Sequence, residues 1–145
     1  MSVYPLQPKL PFALRFEVLS WRAVVKNVFL VVDDHAPFRT ALARSLRPYG
    51  EVRHAASVAE GKEMALKTSW TALFIDVTLP DGNGLDVLGY ARANGCMAPA
   101  LVLTASHDPA TIHRAFDSRA RFMMKPGDWS DIEDFVRAAL AAKDD

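Results

Sequence analysis

From Asn27 onward, apolar residues come in short unbroken runs that alternate with stripes at helical spacing. Val28-Phe29-Leu30-Val31-Val32 is the first run. Such a β-branched run predicts a strand buried on both faces, as in a parallel sheet. Asp33 and Asp34 end it. Pro37 then sits where the first turn of a helix tolerates proline, and Phe38, Leu42 and Leu46 form its apolar stripe. Glu51 to Ala55 predicts a short second strand, and Ser57-Val58-Ala59-Glu60 is a capping box that starts a second helix. Ala72-Leu73-Phe74-Ile75 is the third strand, ending at Asp76. Leu79 to Gly84 reads as loop, followed by a third helix from about Leu85 to Asn94. Ala100-Leu101-Val102-Leu103 is the fourth strand, ending at Thr104. Asp108-Pro109 caps and opens a short fourth helix through Ile112 and Phe116. Phe122-Met123-Met124 is the fifth strand, ending at Lys125-Pro126. Ser130 to Glu133 reads as a second capping box, opening a helix that buries Ile132, Phe135, Val136, Ala139 and Leu140. Five strands alternating with five helices predict an α/β fold, an open parallel sheet covered on both faces.

The start of the chain reads differently. Pro5, Pro8 and Pro11 discourage regular structure, after which Phe12, Phe16 and Leu19 recur as on a short amphipathic helix. We therefore expect an N-terminal extension over 1–26 and one domain over 27–145, with no output domain. Two readings of the extension stay open: a passive tail or upstream start, or a helix lying on the domain or on a second copy through Phe12, Phe16, Leu19 and Trp21. Lys9, Arg15, Arg22 and Lys26 face Glu17 alone there, so the extension is basic and the rest mildly acidic, although the formal net charge is +0. No field of one sign points to nucleic acid or a membrane surface. With 145 residues, 50% of them hydrophobic, the chain can build one proper core. The single cysteine, Cys96, permits no intrachain disulfide and suits a reducing, cytoplasmic setting. No apolar run approaches a membrane span, and no signal-peptide order is visible.

In a parallel sheet, ligands bind at the carboxyl ends of the strands. The first strand ends in Asp33-Asp34, the third in Asp76, the fourth in Thr104 and the fifth in Lys125. Taken singly, each has an ordinary explanation: a helix cap, a turn residue, a strand-end hydroxyl, an uninformative Lys-Pro. Together they bring three carboxylates, a hydroxyl and an ammonium to one edge. Crowded carboxylates repel, and at least one pKa would rise. A hard cation such as Mg²⁺, which favours oxygen ligands, removes that problem. The hydroxyl and the ammonium remain as donors to a phosphoryl group, whose transfer needs mainly positioning and charge neutralisation.

This set closely resembles the response-regulator receiver (CheY-like) family over roughly Asn27 to Ala142. The motifs are Val31-Val32-Asp33-Asp34, then Asp76-Val77-Thr78-Leu79-Pro80-Asp81-Gly82-Asn83-Gly84, then Thr104-Ala105, then Lys125-Pro126. The resemblance implies a flavodoxin-like (βα)5 sheet with strand order 2-1-3-4-5. It implies Asp76 as phosphoacceptor. It implies Mg²⁺, or Mn²⁺ in its place, held by Asp33, Asp34, Asp76 and the backbone carbonyl of Thr78. Thr104 and Lys125 would contact the phosphoryl group, Phe122 would be the switch aromatic, and Lys125-Pro126 would be a cis bond. The chain departs from the family pattern at Ser118-Arg119-Ala120, where Arg119 occupies a place suited to positive φ, so that turn is expected to differ. It departs again where Gly127-Asp128 precede Trp129, and Asn83 stands where the family often has Asp. Thr78 and Ser106 occupy positions that tune phosphate lifetime.

The function implied is that of a single-domain response regulator of a two-component or phosphorelay system. It would be a phosphoacceptor that catalyses its own phosphorylation and dephosphorylation, not a turnover enzyme. Its donor would be a sensor histidine kinase or a phosphotransfer protein. The signal would leave by the surface of helix four, strand five and helix five, to a downstream protein or a second copy in a homodimer. The alternative is a receiver-fold scaffold that binds partners without phosphorylation, although such proteins usually lose part of the acidic set or the lysine. A haloacid-dehalogenase-like phosphatase needs Asp-x-Asp after its first strand, and here the acids are adjacent. An FMN protein would want a Ser/Thr/Gly-rich loop where Asp34-His35-Ala36-Pro37 stands.

Overall fold

The structure, a computed structural model, describes residues 27–105, 108–125 and 127–144. The amphipathic pattern in the extension, Ser106 and the Lys125-Pro126 bond lie outside the described residues. The elements are β1 (Val28–Val32), α1 (Ala36–Leu46), β2 (Glu51–Ala55), α2 (Val58–Ala65), β3 (Ala72–Asp76), α3 (Leu85–Ala93), β4 (Ala100–Thr104), α4 (Pro109–Asp117), β5 (Arg121–Met124) and α5 (Trp129–Asp144). The five strands are all parallel, in the order β2-β1-β3-β4-β5. This is the flavodoxin-like order 2-1-3-4-5 that the family resemblance implies.

Why the central strands read as unbroken apolar runs is plain in the packing. Side chains alternate across a strand. Val28, Leu30 and Val32 of β1 enter one core with Val87 and Leu88 of α3. Phe29 and Val31 enter a second core with Leu42 of α1 and Phe135 of α5. Both faces are dry, so both positions of the alternation must be apolar. The polar residues Asp33, Asp76 and Thr104, buried at the carboxyl ends, break that rule.

Several local expectations shift. The predicted loop after β3 carries a two-rung antiparallel ladder, Thr78 opposite Asn83 and Leu79 opposite Gly82. The Ser57 cap forms as read: its side chain accepts from Glu60 N at 3.1 Å, while Glu60 Oε2 accepts from Ala56 N. The Ser130 box does not. α5 starts two residues earlier, and Asp128 is the cap, its Oδ1 taking Ser130 N at 2.9 Å and Ser130 Oγ at 2.8 Å. Two capping residues stand two apart there, and the one nearer the turn wins. On α4 only Ala115 is buried; Ile112 and Phe116 flank it and face outward, Phe116 at 78% exposure.

The turn at Arg119 adopts a positive φ despite its side chain. Arg119 takes φ 58°. Ala120 N donates to Ala115 O at 3.0 Å and Arg119 N to Phe116 O at 3.0 Å, the paired bonds of a helix end that favours glycine. The Arg92 guanidinium holds this end, donating to Ser118 O at 3.1 Å and to Ala98 O at 2.7 Å.

Candidate functional site

Two adjacent parallel strands, β1 and β3, deliver the acids to one edge. β1 stops at Val32, and Asp33 follows, its N–H bound to Ala55 O at 2.9 Å. β3 ends on Asp76 itself. One carboxylate oxygen from each of Asp33, Asp34 and Asp76 lies within 4.8 Å of the others. Asp33 and Asp76 are buried, while Asp34 is exposed and can meet solvent or an incoming ligand.

Lys125 faces the two buried acids. Its Nζ lies 2.7 Å from Asp33 Oδ2 and donates to Asp76 Oδ2 at 3.1 Å. The approach to Asp33 Oδ2 is close but off the line that a hydrogen bond needs. That oxygen therefore has a charge beside it and no directed donor. The other Asp33 oxygen is satisfied, accepting from His35 N at 2.8 Å. A buried carboxylate oxygen lacking a directed donor, next to two more carboxylates, is a donor set that fits a small hard cation.

The electrostatics follow from this crowding. Burial raises the Asp76 pKa above the usual carboxylate value; the Lys125 ammonium opposes that shift and the Asp33 charge adds to it. Burial alone would depress the Lys125 ammonium, but the close carboxylates of Asp33 and Asp76 reverse that, so its pKa is raised. At neutral pH the lysine is therefore a held cation.

The loop after Asp76 is pinned from both ends. Gly84 N donates to Val77 O at 2.7 Å, and a Cβ on Gly84 would collide with the Asp76 carbonyl. Only glycine permits that approach. Asp81 reaches across to α2, accepting from Val58 N at 2.7 Å and Ala59 N at 3.0 Å. Thr78 N donates to Asp76 Oδ1 at 3.3 Å.

Thr104 is buried at the end of β4, and its carbonyl accepts from Lys125 N at 2.8 Å. Phe122 on β5 lies opposite Val102, two residues before Thr104. Strand alternation thus puts Thr104 and Phe122 on the same face of the sheet. Phe122 is half-buried against the core on that face.

Of the sequence-predicted set, Asp33, Asp34, Asp76 and Lys125 come together, with Thr78 and Thr104 adjoining and Phe122 one step removed. The sequence did not show two aromatic neighbours. The Phe38 ring lies under the Lys125 ammonium, 4.4 Å from its centroid, and Trp129 stacks on Phe38 at 6.0 Å. Phe38 was legible only as part of a core stripe. Its place in the first turn of α1, the end nearest Asp33, was the available signal. Nor could spacing reveal Asp81 as a second cap for α2, from the far side of β3.

A family model described as response regulator receiver domain matches residues 29–137. The chain belongs to that family. This receiver domain is 31% identical over 113 residues to the response regulator protein PilR of Pseudomonas aeruginosa, covering 77% of this chain and 25% of that protein. It is 36% identical over 105 residues to the photosynthetic apparatus regulatory protein RegA of Cereibacter sphaeroides, covering 71% of this chain and 57% of that protein. The matches thus span about a quarter and just over half of these two relatives. Among solved structures, a response regulator from Burkholderia pseudomallei, described with a phosphorylated aspartic acid, calcium ion and citrate, aligns with a TM-score of 0.70. Its identity is 28%, and the alignment covers 81% of this chain and 71% of that one. The chain therefore has the fold of a two-component response-regulator receiver domain, with an acidic cluster at the carboxyl edge of its sheet. Among the described residues no helix is long and apolar enough to cross a membrane.

Proposed function

We propose that this receiver domain accepts a phosphoryl group on Asp76, aided by a divalent cation, and reports that event through the surface of α4, β5 and α5. The observation that carries this reading is the meeting of the Asp33, Asp34 and Asp76 carboxylates with the Lys125 ammonium at one sheet edge. The phosphorylated aspartic acid in the description of the Burkholderia protein supports the same class of chemistry.

The carboxylates of Asp33, Asp34 and Asp76 and the backbone carbonyl of Thr78 would hold Mg²⁺, or Mn²⁺ in its place. When bound, the cation supplies charge neutralisation for an incoming phosphoryl group. Asp76 is the nucleophile. One of its oxygens bonds to phosphorus while the donor's P–N or P–O bond breaks, and the bonding pair leaves with the donor. A sensor histidine kinase or phosphotransfer protein would present that donor as phosphohistidine. Burial raises the Asp76 pKa, so its carboxylate is more basic than a surface one. Lys125 exchanges a carboxylate partner for a phosphoryl oxygen, and the Thr104 hydroxyl donates to another.

A shift of Thr104 toward the phosphoryl group opens room on the face it shares with Phe122. The population then moves toward the state in which these contacts are made. The signal passes to a downstream protein or a second copy at the α4–β5–α5 surface, where Ile112 and Phe116 are exposed. Acetyl phosphate with Mg²⁺ tests the reading by intact mass. An adduct of about 80 Da, one phosphoryl group, forms with Mg²⁺ and not in excess chelator. The absence of any adduct would overturn the reading and favour a scaffold that binds partners without phosphorylation.

A further inference from the structure

Lys125 has a third neighbour besides the two acids. Its Nζ lies over the Phe38 ring, 4.4 Å from the centroid. The ring face carries the negative lobe of the aromatic quadrupole and attracts a cation, most strongly where water is excluded. Phe38 is buried on α1 and does not titrate. It is backed by Trp129, stacked at 6.0 Å with an interplanar angle of 20°.

The stack depends on the chain's path after Lys125. Gly127 takes φ 73°, and a Cβ there would press on Met123 Sδ and the Met124 carbonyl. Asp128 then caps α5 by accepting from Ser130 N at 2.9 Å, which fixes the first residue of that helix, Trp129, against Phe38. Two separate elements, the first turn of α1 and the start of α5, thus build one platform under the ammonium.

We propose that Phe38, backed by Trp129, is a positioning residue for Lys125. This inference rests on the phosphoacceptor reading. Asp33 and Asp76 are the groups a cation would take over, so their hold on Lys125 weakens when the site is loaded. The ring makes no such exchange. It keeps the ammonium at the sheet edge while the carboxylates change partners, ready for a phosphoryl oxygen on Asp76.

The test compares the full chain with Phe38→Leu, Phe38→Tyr and Trp129→Ala, each measured in two ways. The first is the rate of the acetyl phosphate adduct at saturating Mg²⁺. The second is the proton shift of the Lys125 ε-methylene, which a ring face below moves upfield. Phe38→Leu should slow the adduct about threefold to thirtyfold, the range from an exposed to a water-excluded cation–ring contact. It should also lose the upfield shift. Phe38→Tyr, which keeps the ring, should stay within about twofold on the same scale. Trp129→Ala, at a half-exposed position that leaves the core intact, should fall between the two. An unshifted ε-methylene in the unmodified chain, or equal adduct rates in Phe38→Leu and the unmodified chain, would overturn the positioning role. If no protein in the set forms an adduct, the phosphoacceptor reading fails, and this inference falls with it.

Discussion

Lys125 Nζ sits 2.7 Å from Asp33 Oδ2, a buried oxygen with no directed hydrogen bond. The lysine, which also donates to Asp76, keeps two buried carboxylates tolerable in the absence of a metal. Removing it leaves like charges together in a poorly solvated edge. Lys125→Met should therefore destabilise the fold by roughly 2–4 kcal/mol at neutral pH, the scale of a broken, largely buried ion pair. Saturating Mg²⁺ should restore a large part of that loss, because a ligand bound only by the folded state stabilises it. Urea unfolding with and without Mg²⁺ checks both halves; a Lys125→Met protein as stable as the parent would contradict the arrangement.

Asp81 gives the pH dependence a clear sign. Its carboxylate accepts from Val58 N and Ala59 N, and these backbone bonds hold its pKa below the usual carboxylate value of 3.8. A depressed pKa favours the folded state once the group is ionised. That contribution is fully present above 3.8 and is lost as pH falls through the lower, folded-state value. Asp128, held low by the Ser130 backbone and side chain, acts in the same direction. Asp81→Asn should flatten the loss of stability between pH 4 and pH 2, roughly the window around an ordinary aspartate pKa. Its thermal midpoint should converge with the parent's at the acid end. Parallel curves would show that the cap carries no linkage.

Arg119 holds a left-handed backbone at φ 58° that costs an L-residue energy and costs glycine little. Arg119→Gly should stabilise the domain by about 0.5–1 kcal/mol, since the Schellman-type bonds to Ala115 and Phe116 are made by backbone alone. Arg92→Lys should do the opposite, by about 1–3 kcal/mol, because an ammonium cannot reproduce a fork that serves four carbonyls, those of Cys96, Ala98, Ser118 and Arg119. The shift in urea midpoint at unchanged slope measures each.

How far the sequence reaches can be judged from these same residues. The parallel sheet and its acidic edge were legible because such a sheet buries both faces, whereas the strand order came only from the family resemblance. Any polar residue on β1, β3 or β4 is then conspicuous, and all of them fall at the carboxyl ends. Less local features were hidden. The α4 stripe of Ile112 and Phe116 carries a helical period, but a period does not say whether the core or the solvent receives it. The choice of Asp128 over Ser130 depends on where the chain leaves Gly127. The Asp81 cap and the Phe38–Trp129 platform join elements far apart in sequence, and neither spacing nor residue type marks such contacts.

On the proposed reading, Asp76 takes the phosphoryl group. The most direct test treats the parent chain and Asp76→Ala with acetyl phosphate and Mg²⁺ under identical conditions and weighs the intact proteins. Asp33, Asp34 and Lys125 remain in the variant, so the rest of the edge is unchanged. The parent should gain a single adduct of about 80 Da, one phosphoryl group, and Asp76→Ala should gain none. An adduct of that mass that persists in Asp76→Ala would contradict the account.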